Sequence, residues 1–322
     1  MRTSYTLRTS LVAVLAMGSM ALASATPSKV VVFGDSLSDT GNVAARFQAV
    51  GIALPAAPYA DGRFTNGPVA VEVMASTLGV SLESYAYGGA LTGTDNRITT
   101  GGVLTGTGVQ SQITNYVSSQ GGALDASALY VLWAGGNDFF SNASAATVTT
   151  AVTNLMTDVS ILYQAGAREF FVPNLPNLAD TADAIAAGGA QQAGAYALSV
   201  GFNNALSQYM GQLQGQLAGS TIQVFDTFSF LSGVRAQYAA AEGGNVTSAC
   251  YVGNYLGQGT ACATPDSYYL WDSVHPTAGV HNAVGVAFAA AVPEPSTYGL
   301  MLLGLAGVGL VASRQRRAVA QA

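Results

Sequence analysis

Five short apolar stretches alternate with longer amphipathic stretches along most of the chain. The apolar stretches have the length of buried strands, and the segments between them have helical spacing. The predicted strands are 30–33, 81–87, 128–133, 169–172 and 221–225. Strands that alternate with helices pair in parallel, because each helix returns the chain over one face of the sheet. The pattern predicts an α/β fold of three layers around a mainly parallel sheet of about five strands.

The segments between the strands are predicted to be helices, with one long loop. The predicted helices are 40–50, 69–78, 109–117, 145–165, 184–217, 228–241 and 278–291. The fifth of these is interrupted by Gly188-Gly189. A stretch rich in Gly and Thr, 91–106, is predicted to be a loop. Long loops in compact domains are often functional, so a role in covering a substrate is one hypothesis.

The start of the chain has the pattern of a secretory signal. Arg2 and Arg8 precede an apolar run over 11–22, and Ala23-Ser24-Ala25 provides the small residues that signal peptidase requires. This order predicts a signal peptide over 1–25, cleaved before Thr26. The protein is therefore expected to be exported across the inner membrane.

The end of the chain has three parts in a fixed order. Pro293-Glu294-Pro295 is followed by an apolar segment over 298–312 and by the cluster Arg314-Gln315-Arg316-Arg317. The apolar segment is short for a membrane span, which needs about 20 residues, so a marginal anchor is one interpretation. The order resembles the PEP-CTERM sorting signal of Gram-negative bacteria that make exopolysaccharide. That resemblance implies transient membrane association of 293–322, removal by an exosortase, and a final place in the periplasm, at the cell surface or in the extracellular matrix.

The body of the chain, 26–292, has a length that suits one domain. It carries six basic and sixteen acidic residues, a net charge of −10. Binding to nucleic acid requires clustered Lys and Arg, and the single Lys of the chain is Lys29. This composition argues against a nucleic-acid partner. It also disfavours the long-range attraction of highly anionic polymers.

Two cysteines, Cys250 and Cys262, lie in a polar segment rich in Gly. In an oxidising compartment we expect them to pair, and closing a loop of this length contributes about 3 kcal/mol in the chain-entropy model. Free thiols are the alternative. A zinc site is disfavoured, because two cysteines without nearby histidines lack the required ligands. No metal or cofactor is expected.

The first predicted strand ends in Gly34-Asp35-Ser36, a sharp turn that can present a hydroxyl at the edge of a sheet. Ser36 is therefore a candidate nucleophile. The same residues have a second interpretation, in which Ser36 caps a helix and Asp39 lies in its first turn. Three residues alone do not separate the two interpretations.

A serine nucleophile needs a base, and the base needs an acceptor that fixes its tautomer. The chain has two histidines, His275 and His281, and His275 follows Asp272 by three residues. This spacing can place a carboxylate and an imidazole on one turn, so Asp272 could orient His275 toward Ser36. A loop anchored by Asp272 and His275 is the structural alternative.

Acyl transfer also needs hydrogen-bond donors aimed at the oxyanion. Asn137 is a candidate because a neutral amide donates without acting as a base, and Gly88 is a candidate through its backbone N–H. Both are also ordinary turn residues. Ser36, Gly88, Asn137 and His275 all follow predicted strands or their extensions, the edge at which parallel sheets bind ligands.

The chain contains a second candidate nucleophile motif. Ala197-Leu198-Ser199-Val200-Gly201 nearly matches the Gly-x-Ser-x-Gly elbow of the α/β-hydrolases. It lacks the first Gly and lies in a predicted helix without a preceding strand, the context that the elbow requires. This motif is therefore disfavoured.

Four ordered blocks are similar to those of the GDSL (SGNH) hydrolase family, in its lipase-like branch, over most of residues 30–290. The blocks are Gly34 to Asn42, Tyr87-Gly88-Gly89-Ala90, Gly135-Gly136-Asn137-Asp138 and Asp272-Ser273-Val274-His275-Pro276. The resemblance implies a flavodoxin-like α/β fold and an esterase that needs no metal.

The resemblance also implies roles for single residues. Ser36 would attack, His275 would act as base and then acid, and Asp272 would orient His275. The Ser36 N–H, the Gly88 N–H and the Asn137 side chain would form the oxyanion hole, with Gly89 as the alternative donor to Gly88.

These observations predict a secreted serine esterase or lipase that acts on a neutral carboxylic ester, either a small molecule or a lipid or acylated sugar. Signal peptidase and an exosortase are the expected protein partners. Two alternatives remain open: a non-catalytic protein that binds exopolysaccharide or the cell surface, and an acyltransferase that uses the same three residues.

Overall fold

A sheet of five parallel strands lies at the centre of residues 26–292, the part of the chain that the computed structural model describes. The strands are β1 (Lys29–Gly34), β2 (Ser81–Ser84), β3 (Leu129–Trp133), β4 (Glu169–Pro173) and β5 (Thr221–Phe225). Their spatial order is β2-β1-β3-β4-β5, and every neighbouring pair is parallel. The predicted α/β fold with a sheet of about five strands is confirmed.

Nine α-helices surround the sheet within the described residues. They are α1 (Asn42–Gln48), α2 (Ala70–Leu78), α3 (Val109–Ser119), α4 (Gly136–Ser141), α5 (Ala145–Gln164), α6 (Ala182–Ala187), α7 (Gly189–Gln216), α8 (Thr227–Ala240) and α9 (Ala278–Ala291). The predicted helix 184–217 is two helices, because Gly188 between α6 and α7 has a φ of 60° that ends helical geometry. The sequence did not predict α4, which follows directly on β3.

Alternate side chains of β1 point to opposite faces of the sheet and so build two cores. Val31 and Phe33 pack on the side of α3, α5 and α7. Val30 and Val32 pack on the side of α2, α8 and α9. All four side chains are fully buried. The continuous apolar run of β1 is therefore explained by helices on both faces, and the three predicted layers are confirmed.

A smaller substructure follows α8. It contains a parallel pair, β6 (Asn245–Ala249) with β9 (Tyr268–Leu270), and an antiparallel pair, β7 (Tyr251–Gly253) with β8 (Gly259–Ala261). Cys250 and Cys262 form a disulfide at the base of the antiparallel pair. We call residues 250–262 the cysteine hairpin. β6 and β8 are too polar, and β7 too short, for an apolar pattern to predict them, whereas β9 lies in the apolar segment before Asp272.

The predicted loop 91–106 has ordered local structure. An isolated bridge joins Ala90 to Asn96, and a short 3₁₀ helix covers Thr100–Gly102.

No helix within residues 26–292 combines the length and the apolarity needed to cross a membrane. The signal peptide predicted over 1–25 and the sorting tail predicted over 293–322 lie outside the described residues.

Candidate active site

The turn that carries Ser36 is held by a side chain from α3. The Gln112 amide forms two hydrogen bonds with Gly34, the last residue of β1: Oε1 accepts from the N–H at 3.0 Å, and Nε2 donates to the carbonyl at 2.9 Å. The Ser38 N–H then donates to the Asp35 carbonyl at 3.0 Å, which closes the turn around Ser36. Gln112 thus continues the hydrogen bonding of the strand up to the candidate nucleophile.

Asp39 joins this turn to the turn that follows β2. Its Oδ1 accepts from the N–H groups of Gly41 at 2.8 Å and Asn42 at 2.7 Å, and its Oδ2 accepts from the Gly88 N–H at 2.8 Å. The Gly88 N–H therefore already has an acceptor within the described residues. The role of Gly88 as oxyanion donor stays a prediction, and this hydrogen bond occupies the N–H that the role requires. The cap interpretation of Ser36 does not fit either, since α1 begins only at Asn42.

Gly89 has the properties that Gly88 lacks. It lines the same cavity as Ser36, and the hydrogen bonds found within residues 26–292 give its N–H no acceptor. Its φ is 79°, and a Cβ here would lie 2.6 Å from Asn96 Oδ1, so the position requires glycine. Asn96 in turn donates from Nδ2 to the Gly88 carbonyl at 2.9 Å. Of the two alternatives that the sequence left open, the geometry favours Gly89.

Asn137 reaches the cavity from the first turn of α4, just past β3. The adjacent Asp138 anchors this turn: its carboxylate accepts from the Thr92 N–H at 3.1 Å and from the Thr92 hydroxyl at 2.8 Å. Asn137 is buried, and no hydrogen bond within the described residues uses its side chain. Its amide is therefore available to a bound group.

Ser36, His275 and Asp272 form a hydrogen-bonded row. Ser36 Oγ lies 2.8 Å from His275 Nε2, and His275 Nδ1 lies 2.9 Å from Asp272 Oδ1 and 2.8 Å from Oδ2. An ionised Asp272 can only accept, so Nδ1 carries the proton and Nε2 accepts from the Ser36 hydroxyl. This arrangement can remove the hydroxyl proton during attack on a carbonyl.

The backbone of the loop after β9 is held by hydrogen bonds to the Asp272 carboxylate. Oδ1 of Asp272 accepts from the N–H groups of Val274 at 3.0 Å and His275 at 2.8 Å. The Trp271 N–H donates to the His275 carbonyl at 2.8 Å and closes the loop. The carboxylate thus sets the backbone that carries the imidazole, as the spacing of three residues allows.

The pKa values of the two carboxyls near the candidate base are shifted in opposite directions. Burial alone would raise the pKa of Asp272, but the His275 imidazole and its hydrogen bonds hold that pKa below its ordinary value. Burial raises the pKa of Asp35, which also lines the cavity, to about 6. Asp272 therefore keeps its charge at pH values where Asp35 takes up a proton.

His281 is the second histidine and is 1% exposed. Its Nδ1 accepts from the Ala70 N–H at 3.2 Å, and burial lowers its pKa to about 3. It borders the cavity but forms no hydrogen bond with Ser36 or Asp272 within the described residues. His281 is therefore a neutral core residue.

Ser36, His275 and Asn137 face a cavity of about 90 Å³. Most of the other side chains around it are apolar or aromatic. They include Leu37, Phe64, Ile98, Trp133, Phe140, Leu175, Leu178, Leu231, Tyr255, Tyr269, Leu270 and Val284. Such a lining suits an apolar group attached to the carbonyl.

The sequence did not predict that three residues support the candidate site. Gln112 binds Gly34, and Asp39 binds Gly88. The Tyr59 hydroxyl donates to Asp272, which lies 213 positions further along the chain. Nothing in the local pattern around these residues signals such partners. Within residues 26–292 no group of three or more His, Cys, Asp or Glu side chains is arranged to hold a metal ion.

Two family models match the chain. The model of the GDSL-like lipase/acylhydrolase family matches residues 30–288, and that of the PEP-CTERM protein-sorting motif matches residues 291–317. The second motif indicates export in Gram-negative bacteria and implies recognition by an exosortase.

Two curated relatives are 30% identical to the chain. One is an uncharacterized protein in the trpE-trpG intergenic region of Pseudomonas putida, matched over 86% of this chain and 50% of the relative. The other is a phosphatidylcholine-sterol acyltransferase of Aeromonas hydrophila, matched over 47% of this chain and 45% of the relative. The chain thus spans about half the length of these relatives.

Among solved structures, the chain is similar to a member of the lipolytic G-D-S-L family from Veillonella parvula. The sequence identity is 14%, the TM-score is 0.48, and the match covers 82% of this chain and 97% of the other.

Proposed function

We propose that this chain, which belongs to the GDSL-like lipase/acylhydrolase family, is an exported serine esterase that cleaves carboxylic esters. The observation that carries the proposal is the row of three groups: Ser36 Oγ lies 2.8 Å from His275 Nε2, and His275 Nδ1 lies 2.8 Å from Asp272 Oδ2. A buried carboxylate behind the imidazole and a hydroxyl in front of it are what activation of a serine requires.

In the first half of the reaction Ser36 Oγ attacks the ester carbonyl while His275 Nε2 takes its proton. The tetrahedral oxyanion receives hydrogen bonds from the Ser36 N–H, the Gly89 N–H and the Asn137 amide. When the intermediate collapses, the bond to the alcohol breaks and His275 returns the proton to the departing oxygen. The acyl group is now an ester of Ser36.

In the second half water attacks the acyl-enzyme. His275 removes a proton from the water, the same donors bind the second oxyanion, and the proton passes to Ser36 Oγ as the acid leaves. Asp272 holds its charge throughout and stabilises the imidazolium in both halves.

An acyltransferase is the second candidate, and the similarity to the Aeromonas acyltransferase favours it. The chemistry differs only in the acceptor: an alcohol replaces water in the second half. With an alcohol added to the aqueous assay, formation of the new ester faster than formation of the free acid would identify this activity.

Export and sorting complete the proposal. The PEP-CTERM motif over 291–317 supports recognition by an exosortase. We propose that both the signal peptide and the tail are removed and that the enzyme works outside the inner membrane. The intact mass of the protein recovered from cells should then lack the residues around and beyond Pro295.

The catalytic assignment is tested with Ser36→Ala against p-nitrophenyl acetate. We expect kcat to fall at least about a thousand-fold, with thermal unfolding unchanged. Ser38→Ala is the matched control, because Ser38 lies in the same turn and its buried hydroxyl has no partner within the described residues. It should keep the parental rate. A Ser36→Ala protein with parental activity would refute the assignment, and a parent protein without ester cleavage would favour a binding function.

A further inference from the structure

Arg97 is the one basic side chain within residues 26–292 that borders the catalytic cavity. The Arg97 N–H donates to the Gly89 carbonyl at 2.8 Å, which fixes its backbone beside a proposed oxyanion donor. Its guanidinium carbon lies 5.6 Å from the centre of the Phe140 ring. Phe140 follows Asn137 by three residues on α4 and is 40% exposed. The positive charge therefore lies on the solvent-exposed rim, between the two elements that carry the Gly89 and Asn137 donors.

The charge of Arg97 has no acidic partner within residues 26–292. No carboxylate within the described residues lies at salt-bridge distance from it, whereas Lys29, Arg63 and Arg235 each pair with an acidic side chain. Stacking on Phe140 occupies the face of the guanidinium and leaves the N–H donors along its edge open. Arg46 and Arg168 also lack a carboxylate partner among these residues, but Arg97 is the one of the three that borders the cavity.

We propose that Arg97 selects esters whose alcohol part carries a phosphate or a carboxylate. This inference depends on the proposed esterase function. The interior of the cavity is largely apolar and suits the acyl group, so the alcohol faces the exposed rim where Arg97 lies. The guanidinium binds anionic oxygens at contact distance. Long-range repulsion by the acidic body does not oppose this contact, because salt screens it beyond about 10 Å.

The test compares matched esters that differ only in charge. Butyrylglycerol phosphate is paired with butyrylglycerol, and butyryloxyacetate with its amide, so that the two arms separate phosphate from carboxylate. We expect kcat/KM of the parent to be higher for at least one anionic ester than for its neutral partner. Arg97→Gln should lower kcat/KM for that anionic ester about tenfold and leave the neutral ester unchanged.

Arg46→Gln is the control, since it removes an equal charge. The Arg46 guanidinium carbon lies 5.5 Å from the centre of the Tyr87 ring, and Arg46 does not border the cavity. Both ester classes should be unaffected. Equal losses on neutral and anionic esters in Arg97→Gln, or no loss on either, would overturn the proposal. If the parent hydrolyses the neutral esters, the esterase function stands even when the role of Arg97 is refuted. If the parent hydrolyses neither class of ester, the esterase function itself is refuted.

A different observation concerns Asp272. The Tyr59 hydroxyl donates to Asp272 Oδ2 at 2.8 Å, and both side chains are buried. The other donors to this carboxylate within the described residues come from 274–275, in the loop of Asp272 itself. Tyr59 is thus the one contact that ties the carboxylate to a distant part of the chain.

The Tyr59 ring is fixed by aromatic neighbours from the cysteine hairpin and from the strand end. It meets Tyr251 edge to face, with ring centres 5.3 Å apart, and Trp271 in the same manner at 6.1 Å. Tyr251 and Trp271 are stacked at 5.8 Å. Burial and the charge of Asp272 raise the pKa of the Tyr59 phenol, so it stays a donor over the whole working range.

We infer that Tyr59 is a positioning residue for the Asp272–His275 pair. Its hydroxyl fixes the rotation of the carboxylate, so that both oxygens stay within reach of His275 Nδ1. It also disperses part of the negative charge that stabilises the imidazolium. Removing the hydroxyl loosens the orientation of His275 and concentrates that charge.

The test is Tyr59→Phe, assayed on p-nitrophenyl acetate over a range of pH. We expect kcat to fall about tenfold with KM unchanged, and the acid limb of the kcat/KM profile to move to higher pH. Tyr251→Phe is the matched control: its hydroxyl lies in the same cluster but donates to the Asn254 carbonyl at 3.0 Å. It should leave kcat and the pH profile unchanged.

A merely structural role for Tyr59 would lower the thermal unfolding temperature without moving the pH profile, and this result would overturn the inference. Equal changes in Tyr59→Phe and Tyr251→Phe would overturn it as well. In an Asp272→Asn background, Tyr59→Phe should cause no further tenfold loss, because the charge on which it acts is gone.

Discussion

The two halves of the proposed catalytic row are supported in different ways. Ser36 follows β1, which has a strand on either side in the central sheet, and Gln112 and Asp39 fix its turn. The Asp272–His275 loop follows β9, a short strand outside that sheet, and is fixed by Tyr59 and the cysteine hairpin. The nucleophile shares its supports with the core, whereas the base depends on a dedicated substructure.

This difference predicts which property of the protein changes when a support is removed on either side. Loss of a support on the Ser36 side should lower the stability of the whole domain, because the same hydrogen bonds complete the central sheet. Loss of a support on the His275 side should lower the rate, whatever its effect on the stability. The following changes test this contrast.

Asp272→Asn should have the largest effect. The amide no longer fixes the Nδ1–H tautomer or stabilises the imidazolium, so we expect kcat to fall about ten-thousand-fold with the fold intact. The measurements are kcat on p-nitrophenyl acetate and thermal unfolding. Asp266→Asn, at an exposed position of the same segment, removes an equal charge and should have no effect. A rate within tenfold of the parent would contradict the proposed role of Asp272.

Removal of the disulfide comes next. Replacing Cys250 and Cys262 by serine should lower the free energy of unfolding by about 3 kcal/mol, because a loop closed in the unfolded state is released. Since the Tyr59 cluster rests on the cysteine hairpin, kcat should also fall. Denaturant unfolding and kcat are measured on the parent and the double variant. An unchanged kcat would show that the cysteine hairpin supports the fold but not the position of His275.

Gln112→Leu is the matching change on the Ser36 side. It leaves the N–H and the carbonyl of Gly34 without their side-chain partner in the interior, so the free energy of unfolding should fall by about 2 kcal/mol. Denaturant unfolding measures this loss. Asn115→Leu, an exposed position on the same helix, should have little effect. If Gln112→Leu lowered kcat strongly without lowering stability, the contrast between the two regions would fail.

His281→Asn should change the acid side of the stability profile and has the smallest expected effect at neutral pH. The pKa of folded His281 is about 3, below the ordinary value of 6.5, so between these pH values the unfolded chain binds a proton that the folded protein does not. This group therefore makes the free energy of unfolding fall as pH decreases from 6.5 toward 3, by about 1.4 kcal/mol per pH unit.

The asparagine oxygen can replace Nδ1 as acceptor for the Ala70 N–H, and asparagine does not titrate. The free energy of unfolding of the parent should therefore fall more steeply with decreasing pH than that of the variant, by about 1.4 kcal/mol per pH unit between pH 6.5 and 3. Urea unfolding at several pH values measures the difference, and an identical slope for both proteins would show that His281 is protonated in the fold.

Local pattern determined much of this protein. The alternation of apolar stretches with helical ones predicted the parallel sheet, and polar residues after the strands predicted its carboxyl edge as the site. The spacing of Asp272 and His275 was sufficient to pair them, because three residues are one turn. These features depend on neighbours in the sequence, whose backbone geometry is set by residue type.

Only the tertiary structure decided which groups face the cavity. Gly88 and Gly89 are adjacent and chemically identical, and the hydrogen bond from the Gly88 N–H to Asp39 in another turn distinguishes them. Tyr59 reaches Asp272 across 213 positions, and Gln112 completes a strand that it does not belong to. Such partners depend on how distant elements pack, and no residue pattern near either partner records that packing.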